Sequence, residues 1–477
     1  MSSFIFKIQE WHEKYGPIVR ISPWEVHIAD PEFLSVILAN KSQFDKKIEW
    51  KYRFGIPHST FDTIEHQHHR ARRSAIAPFF SKQKIHSIIP YISAKAHRLC
   101  DRLEKEYKNQ NKPLVLNHAF AAFSFDIITY YAFARSFEYM EMPGFHGPFT
   151  DAAKELANTL HIMGHFPWLL AILQAIPNSL AAVMNSHMGE VFAFHGEIAH
   201  QIRSISSGNN DAHKLVEHPT VFHDIFESSL AADEKTVERL VHEGEPAREH
   251  LLCLKPNVEL ILVAIEGGSI IAGGVETTAT ALSKALYYIL ERPEILDAIL
   301  EELDQHAVFE QPTSHPSLAK LEALPYLNAV VNETLRLSIG ISQRIIRKST
   351  SGDPPKYRDF VIPKGVYFSV TTYYTHRDPQ IWDEPHDFRP ERWLVRDPKA
   401  QNSGEPLSTY LVPFGKGPRM CLGINLARAE LFIGLAIVLK RCKFELFEST
   451  RQAVDMKADY FIPMIDPSVE GVKVLVK

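Results

Sequence analysis

The chain has 477 residues, 45% of them hydrophobic and 23% charged, with a net charge of -5. This is a globular composition with material for a large core, and its slight acidic excess excludes a global attraction to nucleic acid. The four cysteines, Cys100, Cys253, Cys421 and Cys442, are too scattered for a disulfide framework and contain no CxxC, which favours a reducing compartment and leaves thiols free for chemistry.

The opening stretch MSSFIFKIQEWHEKYG has a brief apolar start interrupted by Lys7, Glu10 and Glu13. It falls short of the ~20 apolar residues of a membrane span, so neither anchor nor signal peptide is expected. YGPIVRISPWEVHIADPEFL then reads as short strands, with a helix beginning after Asp30. From Thr63 to about Leu300 the text is mostly helical, with amphipathic runs such as IIPYISAKAHRLCDRLEKEYK and DAAKELANTLHIMGHF. After the helical LPYLNAVVNETLRLS come strand-like pieces around FVIPKGVYFSVTTYYT, then proline-rich coil through DPQIWDEPHDFRPERW and DPKAQNSGEP. A coil of that length inside a compact domain points to function. The expected fold is mainly α with a minor β part (α+β), one large domain over residues 1–477.

The densest pattern is PFGKGPRMCLG, Pro413 to Gly423, at the mouth of the helical INLARAELFIGLAIVL. Backbone N–H groups of a turning loop, the positive end of a helix and Arg419 all favour the thiolate form of Cys421. Gly415, Gly417 and Gly423 permit bends and let a flat, bulky ligand approach the backbone. A phosphate-cradling loop is a weaker rival, because the lysine and hydroxyl are not in P-loop order.

Phe414, Gly415, Gly417, Arg419, Cys421 and Gly423 together resemble the haem-binding signature of the cytochromes P450, in which the cysteine thiolate is the axial iron ligand. The resemblance extends to ETLR, where Glu333 and Arg336 share a helical face, and to FRPERW, whose Arg392 completes the family's structural glutamate–arginine–arginine network. It extends to AGGVETTATAL, where two glycines sit in a helix at a cost of roughly 1 kcal/mol each. There the resemblance assigns an oxygen groove to Gly273 and Gly274, a hydrogen bond to dioxygen to Thr277, and proton delivery to Glu276. In HQHHRARRSAIAPFFS it implies that His69 and Arg73 meet the haem propionates, joined by Arg344 and Arg419.

The resemblance implies a cytochrome P450 fold, haem b (iron protoporphyrin IX) between the central helix and the cysteine loop, and insertion of one oxygen atom from O2 into an apolar small molecule. The style of YGPIVRISPWEVHI and HPTVFHDIFESSL resembles fungal members of secondary metabolism, and HSTFDTI and HIMGHFPWLLAILQAIP are expected to contribute to the substrate pocket. No GxGxxG fingerprint follows a strand, so electrons are expected from NADPH through a separate cytochrome P450 reductase, a flavoprotein docking near Lys416 and Arg441. The protein is expected to be a monomer, cytoplasmic or held peripherally at the endoplasmic reticulum membrane. Two other readings stand beside this one: a haem-thiolate isomerase, dehydratase or peroxygenase, which Glu276 and Thr277 argue against, and a non-catalytic binder of haem or a hydrophobic ligand.

The chain departs from the family pattern twice. The N-terminal membrane anchor of microsomal members is expected to be absent. EPAREHLLCLKPNVELILVAIEG stands before the central helix, and Glu243-Gly244 recurs as Glu266-Gly267. Residues 245–266 therefore read as an insertion, genuine or a retained intron, whose Pro246 and Pro256 break helix.

Overall fold

The computed structural model describes residues 3–52, 59–147, 219–235, 265–311, 313–350, 354–394 and 406–477, with isolated positions between 165 and 205. The expected insertion as far as residue 264, most of the expected pocket stretch 161–177, and the coil 395–405 lie outside the described residues.

Helices dominate. The longer ones are α1 (Phe4–Tyr15), α2 (His66–Ile76), α3 (Ile89–Glu106), α4 (Leu116–Phe133), α5 (Ile265–Glu291), α6 (Pro293–Gln305), α7 (Pro325–Ser338) and α8 (Ile424–Arg441). The expected helix after Asp30 is Pro31–Ile37: the Asp30 carboxylate accepts the Glu32 N–H at 2.9 Å, and proline occupies the first helical position, where no N–H is needed. Among the described residues, no helix is long and apolar enough to cross a membrane.

The core follows from which helices are apolar all round. α4, LNHAFAAFSFDIITYYAF, is buried along almost its whole length, and α5 packs along it. α8 is equally apolar and lies against both α3 and α5, so the helix that follows the cysteine loop is locked into the middle of the protein. Gly434 lies at this contact, where a Cβ would make an ordinary van der Waals approach of 3.5 Å to Leu282 of α5.

The minor β part is a five-stranded sheet of β1 (Ile18–Ser22), β2 (Glu25–Ile28), β3 (Asp45–Lys46), β4 (Ile345–Lys348) and β5 (Tyr367–Val370), in the order β1-β2-β5-β4-β3. β2 and β5 run parallel and the other neighbours antiparallel. The register sets Lys46 directly opposite Arg347. TTYYT, expected among strand-like pieces, instead enters a short helix, Thr372–Arg377, whose Thr375 carbonyl accepts the indole N–H of the fully buried Trp382 at 2.8 Å.

One core group carries a strong pH signature. Glu430, on α8, is buried, and its carboxyl pKa is pushed up to about 8 by burial, which the Ser124 hydroxyl, donating at 2.6 Å, only partly offsets. The unfolded carboxyl ionises near ~4.3, so the folded state holds the extra proton between that pH and about 8, and stability falls as pH rises through this window. Glu430→Gln keeps an acceptor for Ser124 and removes the titration. We expect the variant to gain about 2 kcal/mol or more over the parent between pH 5 and 8 in denaturant titrations; a pH-independent difference would contradict a protonated Glu430.

Candidate active site

The site is built outward from Glu333. Its carboxylate, fully buried on α7, accepts from Arg336 Nη2 and Nε at 2.7 and 3.0 Å, from Arg392 Nε at 3.1 Å, from the Arg389 backbone N–H at 2.9 Å and from the Trp393 indole at 3.0 Å. Burial alone would raise its pKa, but the two guanidinium charges and these hydrogen bonds outweigh it and hold the carboxyl below its ordinary value. Arg336 also donates to the carbonyls of His376, Pro385 and Asp387 at 2.7–3.0 Å. The proline-rich coil thus folds around one side chain.

His376 carries this order to the cysteine loop. Burial beside Arg336 and Arg377 lowers its pKa to about 3, so the ring is neutral. The Arg336 carbonyl, 3.0 Å from Nδ1, fixes the proton there, and Nε2 accepts the Val412 N–H at 3.0 Å. Val412 immediately precedes Pro413 and the loop. Gly340, just beyond α7, closes the same joint: at φ +75°, a Cβ there would fall 2.4 Å from the Pro413 carbonyl oxygen. Nothing in the spacing around His376 signalled this role, because both its partners are more than 30 residues away in sequence.

The loop itself is tightly turned. Gly415 N–H donates to Val412 O at 3.0 Å, Met420 N–H to Gly417 O at 3.0 Å, and Cys421 N–H to Phe414 O at 2.8 Å. Gly417, at φ +75°, lies against the backbone after the Pro31–Ile37 helix, where a Cβ would be 2.4 Å from Leu38 O. This glycine therefore serves chain-to-chain packing. A Cβ at Gly415 or Gly423 would meet nothing within 4 Å.

Cys421 borders open space, yet lies deep enough for burial to raise its thiol pKa, against the opposing pull of the Gly423 N–H and the Arg73 charge. The Gly423 N–H pulls toward the thiolate as expected of the loop's donors, and burial opposes it. Arg419, expected to support the thiolate, instead donates to Thr63 O and Ile64 O at 2.8 and 2.7 Å.

Around Arg419 the structure gathers buried Lys46 and His69 with half-buried Arg73 and Arg347. Burial and the neighbouring Arg419 lower Arg347 to about 9, and burial lowers Arg419 to about 10 although Asp45 and Glu65 oppose it. Lys46, donating to Phe61 O and lying 4.2 Å from the Phe61 ring, is held well below its ordinary value by burial, with Arg419 and Arg347 adding to the effect against Asp62. His69 is pushed down to about 2 by burial and by Arg419, Lys46, Arg73 and Arg347. Two buried nitrogens here, Arg419 Nε and His69 Nδ1, make no hydrogen bond among the described residues. Such an arrangement suits an anion with several carboxylate oxygens, and a cation at Cys421 would reverse the thiol's preference.

His69, Arg73, Arg419 and Cys421 are therefore brought together, and Lys46 and Arg347, missed by sequence reasoning, join them. Arg344 does not. Its Nε pairs with Glu25 Oε1 at 3.0 Å and its guanidinium stacks over Phe4 at 5.2 Å. Arg344 lies just before β4, whereas Arg347 lies within it, directly opposite Lys46.

On α5, Gly274 packs against Ile128 of α4, 3.5 Å from where its Cβ would be, whereas a Cβ at Gly273 would meet nothing within 4 Å. The Thr277 hydroxyl donates to Gly273 O at 2.8 Å, and Glu276 and Thr277 are both half-buried. At the expected docking face, Lys416 donates to Thr409 O at 2.6 Å, Arg441 pairs with Asp101 and Glu104, and Lys440 pairs with Asp304. The end of α8 is therefore charge-balanced.

Glu333→Gln leaves two buried guanidiniums without a counter-charge and should cost about 3–5 kcal/mol in denaturant titrations. His376→Ala, which orphans one N–H and one carbonyl, should cost about 1–3 kcal/mol. A Glu333→Gln protein within 1 kcal/mol of the parent, on the order of a surface change, would contradict the network's role.

Residues 2–464 match the family model described as Cytochrome P450. The chain is 39% identical over 479 residues to the cytochrome P450 monooxygenase orf6 of Eupenicillium brefeldianum, covering 99% of this chain and 89% of that one. It is 35% identical to the cytochrome P450 monooxygenase sdnE of Sordaria araneosa over 98% and 87% of the two chains. It is 31% identical to the tryptophan 6-hydroxylase fscE of Fusarium equiseti over 100% and 87%. With the helical fold, the buried glutamate–arginine network and the cysteine loop, these matches establish that the chain belongs to the cytochrome P450 family and is a monooxygenase related to fungal enzymes.

Proposed function

We propose that the chain would hold haem b through the Cys421 thiolate and inserts one oxygen atom of O2 into an apolar small molecule of fungal secondary metabolism. Electrons come from NADPH through a separate flavoprotein reductase, and the enzyme works as a monomer, in the cytoplasm or against the endoplasmic reticulum membrane. The observation that carries the reading is the cluster of buried Lys46 and His69 with half-buried Arg73, Arg347 and Arg419 beside a single thiol. Among the described residues it supplies more positive charge than its carboxylates balance, together with two nitrogens lacking partners. Two propionates would answer both features, and an iron ion would answer the thiol. When bound, haem with a thiolate ligand supplies oxygen activation biased toward O–O cleavage.

The chain's own residues then divide the work. Cys421 Sγ takes the position of an electron-donating ligand, with the Gly423 N–H hydrogen-bonded to it and the Phe414 carbonyl fixing its backbone. Arg419 and Arg347 orient the propionates, with His69 and Arg73 beside them; Arg347 replaces Arg344 in this role. Gly273 leaves one face of α5 without a side chain, and Gly274 holds that helix close to α4. Thr277 parks its proton on the Gly273 carbonyl and, with Glu276 beside it, can hand on the protons that oxygen reduction consumes. Glu333, Arg336 and Arg392 stand behind the loop as support.

Haem retention separates these assignments. Arg347→Leu should lower haem content per folded chain and speed haem loss to apomyoglobin by about tenfold, one to two charge-assisted hydrogen bonds. Arg344→Leu removes the charge partner of buried Glu25 and should cost stability, yet leave the rate of haem loss per folded chain within about twofold of the parent. The opposite ranking would overturn the propionate assignment.

A further inference from the structure

The start of α4, the turn ending at Gly147 and the loop before the C-terminal strand bring together three side chains that oxygen chemistry does not use. His118, in the first turn of α4, is buried; His146 and Glu470 are exposed. One ring nitrogen from each histidine and one Glu470 carboxylate oxygen all lie within 4.8 Å of one another. The two imidazoles approach to 4.1 Å between ring centres and are inclined at 53°, so they converge without stacking.

The backbone holds the three segments in place. Leu116 N–H donates to Val472 O at 2.8 Å, and Val472 N–H donates to Asn117 Oδ1 at 3.0 Å, which ties the Glu470 loop to the residues flanking His118. Gly471, at φ +142°, permits this: a Cβ there would sit 2.4 Å from Asn117 Oδ1. On the other side, Gly144 and Phe145 at φ 65° and 62° turn the chain so that His146 comes over His118. The Glu470 carboxylate also has Lys473 Nζ at 3.5 Å, an exposed pair of the kind worth little, which a cation can displace.

We propose that His118, His146 and Glu470 bind a zinc-class divalent cation, with two imidazole nitrogens and one carboxylate oxygen as ligands and water completing the shell. Two nitrogens disfavour calcium and magnesium, and the borderline donor set matches zinc and its first-row neighbours. The ion would clamp the C-terminal strand and the turn at Gly147 to the start of α4, so it binds the folded chain and stabilises it.

Equilibrium dialysis of the haem-loaded protein against ZnCl2, after treatment with a chelator, tests this. We expect one tight site per chain, and His146→Ala and Glu470→Gln, both exposed positions, should each weaken it by about tenfold or more. Saturating Zn2+ should raise the thermal midpoint of the parent by several degrees and that of the variants by much less. Unchanged haem spectra in the two variants would show that their folds are intact. Absence of a tight site in the parent, or equal zinc affinity in parent and variants, would overturn the proposal.

Discussion

A single buried carboxylate organises this protein. Glu333 is removed from water, so its charge is tolerable only because two guanidiniums, an indole and a backbone N–H converge on it. Those donors come from α7 and from a coil with little regular structure of its own. The coil is ordered by the demand that each buried polar group be satisfied. Arg336 spends its remaining donors on the carbonyls of His376, Pro385 and Asp387, and neutral His376 passes the constraint to Val412. The position of Cys421 is thus set by a chain of hydrogen bonds that begins more than 80 residues earlier, at Glu333.

The second organising feature is an imbalance. Lys46 and Arg347 face each other across two strands, and Arg419 lies close enough to depress both. Like charges directly opposite in a sheet are destabilising, and burial makes them more so. A protein keeps such a cluster when something of opposite charge shares it. The same holds at Cys421, where the protein alone favours the neutral thiol. Both tensions are relieved together by one ligand that carries carboxylates on its rim and a cation at its centre, which couples cofactor binding to the stability of the fold.

What could be read from the sequence was what is local. The loop from Phe414 to Gly423 and the pairing of Glu333 with Arg336 are set by spacing within a turn or two of backbone, and the helix after Asp30 carried its own cap and proline. His69 with Arg73 is local in the same way. Lys46, in a two-residue strand, announces nothing until the register sets it opposite Arg347. Arg344 and Arg347 are near neighbours in sequence, and tertiary strand pairing, which sets Arg347 opposite Lys46, decides which one joins the cluster. His376 acts wholly through distant partners. For Cys421 the donors of the loop are visible in the sequence, whereas the depth at which the loop is buried is a property of the whole fold.

The most direct test of the account is the absorption spectrum of the reduced, carbon monoxide-bound protein, compared between the parent and Cys421→Ala. The account predicts a Soret band at the thiolate-ligated position in the parent and its loss in the variant, with the circular dichroism of the helices retained. The same band persisting in Cys421→Ala would contradict it.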